Sequence, residues 1–137
     1  MAGADTAQPV APRQSKILLA EDNAVNMLLA RDMLARCGQK VHLAKDGDQA
    51  VVMTIDAAMR GEPFDLILMD IQMPEMNGIE AIEAIRADGN TIPIIALTAL
   101  AMPGDRERCL AVGADDYLSK PISLRQLVVA IEKLLVV

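Results

Sequence analysis

Five times between residue 16 and the C-terminus, a short apolar run is followed by a stretch with helical spacing. The runs are Ile17-Leu18-Leu19-Ala20, residues 40–44, residues 64–69, residues 92–97 and the brief Asp116-Tyr117-Leu118. Parallel strands need a crossover to connect them, and a helix is the usual crossover, so this β-α alternation implies a parallel sheet. Strands that are apolar along nearly their whole length suit a sheet covered on both faces. The expected fold is therefore α/β: a doubly wound, five-stranded parallel sheet with helices on both faces. Periodicity alone does not fix the order of the strands.

The helical stretches carry start and stop signals. Val25, Leu28, Leu29 and Leu34 recur at helical spacing and mark the first helix, with Gly38 as its stop. Asp22 or Asn23 could cap it. Asp46 followed by Gln49, Asn77 by Glu80, and Ser123 by Gln126 have the spacing of capping boxes. Gly61 ends the second helix. Residues 103–112 read as a short charged helix stopped by Gly113, and Leu127, Ala130, Ile131 and Leu134 line the last one. Pro93 is tolerable near the start of the fourth strand and nowhere deeper. Residues 1–14, rich in Ala, Pro and Gly without apolar period, read as a flexible tail or linker, leaving one domain over residues 15–137.

Composition narrows the possible functions. Aromatic residues are 1% of the chain and the net charge is −6, so neither stacking platforms nor a basic surface exists for nucleic acid. No apolar run reaches the length of a membrane span, and no basic segment followed by an apolar one opens the chain, so a cytoplasmic, unexported domain is expected. Cys37 and Cys109 lack metal-ligand spacing, and His42 has no partner ligand near it; two buried, reduced thiols are expected.

Ligands of open parallel sheets bind beyond the carboxyl ends of the strands. There the chain places Glu21 and Asp22 after the first strand, Asp70 after the third, Thr98 after the fourth and Lys120 after the fifth. Three carboxylates and one ammonium leave a local charge near −2. Two carboxylates about 4 Å apart repel by roughly 4 kcal/mol at an effective dielectric of 20, so protons or a cation must intervene. Hard oxygen ligands with room for water suit Mg²⁺ better than zinc. Any one of these acids could be a solvated cap. The whole set, gathered at successive strand ends, points to a site. Met69, Met73 and Met76 nearby are read as packing residues, since hard acids dominate the locus.

Leu18-Leu19-Ala20-Glu21-Asp22-Asn23, Leu68-Met69-Asp70-Ile71-Gln72-Met73-Pro74, Leu97-Thr98-Ala99 and Lys120-Pro121 resemble, in order, the motifs of response-regulator receiver domains. Ala44-Lys45-Asp46-Gly47 and Gly113-Ala114-Asp115-Asp116-Tyr117 extend the likeness, and the wording around Asn26 and Asn77-Gly78 is most similar to the receivers of hybrid sensor histidine kinases. The resemblance implies a flavodoxin-like strand order of 2-1-3-4-5. It implies a phosphorelay switch rather than an enzyme, one that assists its own phosphorylation and dephosphorylation. Asp70 would accept a phosphoryl group from a phosphohistidine. Mg²⁺ would be held by Asp22 and Asp70 directly, by Glu21 through water, and by the main-chain carbonyl of Gln72. Lys120, the Thr98 hydroxyl and the N–H groups of Ile71 and Ala99 would take the phosphoryl oxygens. Thr98 and Tyr117 would form the switch that alters the α4-β5-α5 face, and the Lys120–Pro121 bond would be cis. The implied partner is a histidine kinase or histidine-phosphotransfer protein, and the implied state a monomer that dimerises weakly when phosphorylated.

Other classes fit less well. A haloacid-dehalogenase-type Mg²⁺ phosphohydrolase needs an acid two residues after its nucleophile, where this chain has Gln72. A dinucleotide-binding domain needs a glycine-rich turn where Glu21-Asp22-Asn23 stands, and carboxylates there repel pyrophosphate. A receiver-like interaction module that is never phosphorylated is the remaining alternative; such modules usually lack a site residue, and this chain lacks none.

Overall fold

The structure, a computed structural model, describes residues 15–73, 76–99 and 102–135. The tail reading of residues 1–14, the loop proline Pro74 and Ala101 lie outside the described residues. Strands β1 (Lys16–Ala20), β2 (Lys40–Ala44), β3 (Leu66–Asp70), β4 (Ile94–Thr98) and β5 (Asp116–Ser119) alternate with α1 (Ala24–Arg36), α2 (Gly47–Met59), α3 (Gly78–Ala87), α4 (Asp105–Ala111) and α5 (Leu124–Leu135). The five strands form one sheet in the order β2-β1-β3-β4-β5, every pair parallel, as expected.

Successive side chains of a strand point to opposite faces, and both faces here are dry. Leu18, Ala20, Ile67, Met69, Ile94 and Ala96 pack with Ala50 and Ala57 of α2, Ala81, Ile82 and Ile85 of α3, and Cys109 of α4. The intervening residues Ile17, Leu19, Leu66, Leu68, Ile95 and Leu97 pack with Leu34 of α1 and Leu127, Ala130 and Ile131 of α5. Each fully buried Leu or Ile contributes roughly 1.5–3 kcal/mol of transfer free energy. Both faces being covered explains why the strands are continuously apolar.

The caps largely follow the sequence. Asn77 and Glu80 form a reciprocal capping box at α3, and Ser123 and Gln126 exchange hydrogen bonds at the start of α5. Asn23 caps α1, its Oδ1 accepting the Asn26 N–H. Asp46 caps α2 through Gln49 N–H, but the Gln49 side chain accepts from Lys45 rather than Asp46. Gly38, at φ +80°, carries the turn out of α1. Among the described residues no helix is long and apolar enough to cross a membrane.

Three expectations shift. β3 and β4 begin two residues later than the apolar runs: Phe64 lies ahead of its strand, edge-on to the His42 ring, and the Pro93 carbonyl accepts the Ile67 N–H. α4 begins at Asp105, because Asp105 turns back to accept the Met102 N–H. Cys109 is buried, whereas Cys37, at the end of α1, is only half-buried. α1 is a helix as its spacing implied, but Val25, Leu28 and Leu29 are 65%, 51% and 59% exposed. The helix turns Leu34 into the core, with Met27, Ala30 and Met33 beside it. α1 is apolar on nearly all sides, so periodicity could not choose its buried face.

Candidate functional site

Parallel pairing aligns the carboxyl ends of the three central strands. Ala20 is in register with Met69, Asp70 with Leu97, and Thr98 with Ser119. Glu21 therefore emerges beside Asp70, and Lys120 beside Thr98. The Lys120 N–H donates to the Thr98 carbonyl at 2.7 Å, and the Lys120–Pro121 peptide is cis. The Lys120 ammonium reaches back over the sheet to Glu21 Oε1 at 2.6 Å and Asp70 Oδ2 at 3.1 Å.

Both carboxylates are almost fully buried, while Asp22 beside them is exposed. Glu21, Asp22 and Asp70 each present a carboxylate oxygen within 4.8 Å of the other two. Burial pushes the Glu21 carboxyl above its usual pKa; the hydrogen bond from Lys120 opposes this, and the neighbouring Asp70 adds to it. Burial works against the Lys120 ammonium, yet its hydrogen bond to Glu21 and the charge of Asp70 outweigh that and raise its pKa. One ammonium thus serves two buried acids with a third at the rim. This donor set, all hard oxygens with excess negative charge and one member open to water, fits Mg²⁺.

The main chain around Asp70 is held closely. The Gln72 N–H donates to Asp70 Oδ1 at 2.9 Å. Gly78, at the start of α3, sits against the Asp70 backbone; a Cβ there would fall 2.4 Å from the Asp70 carbonyl oxygen. The expected role of Ile71 needs correction: its N–H donates to the Leu97 carbonyl at 2.9 Å as a continuation of the β3–β4 pairing and is turned away from the carboxylate. The donor that faces Asp70 belongs to Gln72 instead. The Ala99 N–H lies beyond the β4 ladder and donates to Gln72 Oε1 at 2.9 Å. That side chain was not legible in the sequence, since only its main-chain carbonyl follows from the motif.

Thr98 is fully buried at the end of β4. Tyr117 stands opposite Ala96 in register, its hydroxyl enclosed without a partner in good hydrogen-bonding geometry. Burial raises its pKa, the charges of Asp105 and Cys109 reinforce this, and the adjacent Thr98 hydroxyl weakly opposes it. The two expected switch residues therefore adjoin each other beneath α4. Of the residues singled out, Glu21, Asp22, Asp70, Gln72, Thr98, Ala99 and Lys120 converge on one rim; Tyr117 lies one layer below, and Ile71 is diverted.

Comparison with known proteins agrees with this arrangement. Residues 17–132 match the family model described as the response regulator receiver domain. The chain is 44% identical over 129 residues to the sensor protein GacS of Pseudomonas syringae pv. syringae, covering 90% of this chain and 14% of that protein. It is similar (TM-score 0.78, 41% identity, 89% of this chain and 98% of the other) to the receiver domain of the sensor histidine kinase PA1611 from Pseudomonas aeruginosa PAO1, solved with a magnesium ion coordinated in its active-site cleft. A third likeness (TM-score 0.77, 30% identity, 89% of each chain) is to the co-crystal structure of the Saccharomyces cerevisiae histidine phosphotransfer signaling protein Ypd1 and the receiver domain of its downstream response regulator Ssk1. The chain spans no more than 14% of the length of GacS and the other hybrid kinases first matched in sequence. With the parallel 2-1-3-4-5 sheet and the acidic rim already in place, the family match over residues 17–132 makes the chain a member of the response-regulator receiver domains of two-component signalling.

Proposed function

We propose that this domain takes a phosphoryl group from a phosphohistidine onto Asp70. The observation that carries the reading is the Lys120 ammonium held between two buried carboxylates, Glu21 and Asp70, on the rim of a receiver fold. An Asp70 carboxylate oxygen attacks phosphorus, the phosphorus–nitrogen bond breaks, and the imidazole leaves with the electron pair and takes a proton. The product is an aspartyl phosphate. Phosphoryl transfer demands positioning and charge neutralisation above all. Mg²⁺, held by Asp22, Asp70, Glu21 through water and the Gln72 main-chain carbonyl, would neutralise phosphoryl oxygens when bound. Lys120 supplies a second positive charge, and the Thr98 hydroxyl and the N–H groups of Gln72 and Ala99 supply neutral donors. The drawing of Thr98 toward the phosphoryl group would disturb its contact with Tyr117 and so reach the α4-β5-α5 face.

The donor's docking surface is the exposed α1 flank. Val25, Leu28 and Leu29 are exposed, and a groove of about 110 Å³ lined by Glu21, Asn26, Leu29, Met33, Lys120 and Ile122 leads from this flank to the site. An amphipathic helix presenting a histidine matches such a surface. A similar receiver domain, that of Ssk1, has been crystallised with the histidine phosphotransfer protein Ypd1.

The test is labelling by acetyl phosphate or phosphoramidate with Mg²⁺, read by intact mass. One phosphoryl group should appear on the wild type and none on Asp70→Asn. Equal labelling of both proteins would remove Asp70 from the role, and labelling that persists in excess EDTA would remove the metal.

A further inference from the structure

Gln72 is exposed at the mouth of the site, yet its side chain bridges two loops. From the loop after β3, its Oε1 accepts the N–H of Ala99 in the loop after β4 at 2.9 Å. Its own N–H donates to Asp70 Oδ1 at 2.9 Å. The neighbouring backbone groups are committed to the sheet: Ile71 N–H to Leu97 and Lys120 N–H to the Thr98 carbonyl. Ala99 is the first residue beyond β4 and follows the last ladder pair, so its donor is met by the carboxamide.

We infer that the Gln72 carboxamide is a removable stand-in for the phosphoryl group, occupying the Ala99 N–H while Asp70 is unmodified and yielding it on phosphorylation. The inference rests on the reading of Asp70 as phosphoacceptor. A neutral amide oxygen is a weaker acceptor than an anionic phosphoryl oxygen, for which charge-assisted bonds are about twice as strong. Because Gln72 is exposed, its amide passes to water when displaced and leaves no buried polar group unsatisfied. The side chain is thus a positioning residue that acts through Ala99. It keeps the donor oriented in the unmodified site, competes with the phosphoryl oxygen for it, and ties the β3–α3 loop to the β4–α4 loop until the two are released together.

The experiment titrates Mg²⁺-loaded protein with beryllium fluoride, an aspartyl-phosphate mimic, in wild type, Gln72→Met, Gln72→Glu and Asp70→Asn. Amide NMR follows Ala99, and Mg²⁺ affinity is measured separately. Methionine keeps the length of the side chain but offers no comparable acceptor. Gln72→Met should bind beryllofluoride about two- to tenfold more tightly, the worth of one ordinary hydrogen bond. Its Ala99 amide should exchange faster in the free protein, and its Mg²⁺ affinity should stay unchanged because the main-chain carbonyl remains. Gln72→Glu keeps the acceptor and adds a charge, so it should bind more weakly than wild type. Wild-type uptake with unchanged or weaker binding by Gln72→Met overturns the inference alone. So does a parallel change in Mg²⁺ affinity, which would make Gln72 a structural tie. No uptake by wild type, or equal uptake by Asp70→Asn, overturns the phosphoacceptor reading and this inference with it.

Discussion

The two ends of the sheet handle charge in opposite ways. At the amino end, Lys16 and Arg86 are both matched with partners. Lys16 gives its ammonium to the Glu62 carbonyl and to the face of Phe64, and its N–H to Asp65. Arg86 spreads its guanidinium over the carbonyls of Gly113, Asn90 and Ile92 and pairs with Asp115, which also accepts the Ile94 N–H. At the carboxyl end, one ammonium faces three acids. The first arrangement satisfies its charges within the fold, and the second leaves excess negative charge at the rim, where a cation would be welcome. On the proposed reading, stability and reactivity are kept at opposite ends of the same strands.

The contrast can be broken most directly at Arg86. Arg86→Ala strips partners from three carbonyls and leaves Asp115 without its cation. It should cost about 2–4 kcal/mol in urea unfolding, from several hydrogen bonds of roughly 1 kcal/mol each. Phosphorylation of the molecules that remain folded should proceed as in wild type. A loss below about 0.5 kcal/mol would mean that the amino end is not the anchor.

At the other end a substitution should have the opposite sign. In EDTA, Asp70→Asn should melt above wild type, because it relieves repulsion with Glu21 and Asp22 while Lys120 retains Glu21. Mg²⁺ at tenfold excess over its Kd should stabilise wild type by about 1.4 kcal/mol, or roughly 3–8 °C, and the variant by less. Identical responses of the two proteins to Mg²⁺ would show that the acids do not share a site.

The smallest effect sharpens the comparison at the amino end. Partial burial holds the His42 pKa below 6.5, and Lys16 and Lys40 add to this; Asp56, Arg60 and Glu62 line the same hollow. The unfolded chain then takes up a proton before the folded one does. His42 therefore contributes stability above pH 6.5 that fades as pH falls through its lower folded value. His42→Gln should flatten the stability profile slightly below pH 6.5, measured by urea midpoints at successive pH values. An unchanged slope would assign it to the carboxylates.

Much of this was legible before the structure. Continuous apolar runs pointed to the doubly covered parallel sheet, since strand side chains alternate between faces and Leu66-Ile67-Leu68-Met69 needs both faces buried. The position of Glu21, Asp70, Thr98 and Lys120 one step beyond those runs marked the rim, because parallel register aligns strand ends. What stayed hidden depends on choices between near-equal options. α1 offers apolar residues on every side, so burial of Leu34 and exposure of Leu28 were settled by packing against the sheet. Whether the Ile71 or the Gln72 N–H faces Asp70 depends on where the β3–β4 ladder stops. The reach of the Gln72 carboxamide to Ala99 crosses between loops 27 residues apart, a pairing that no local pattern encodes.

The uncovered flank of α1 has a cost in colloidal behaviour. Val25, Leu28 and Leu29 form an apolar patch on a chain whose net charge is −6, and that charge is what opposes self-association when copies meet in concentrated solution. On the proposed reading, the same three side chains receive the donor protein, so solubility and recognition would draw on one surface. A chain that made this flank polar would be easier to keep dispersed and harder for its donor to find.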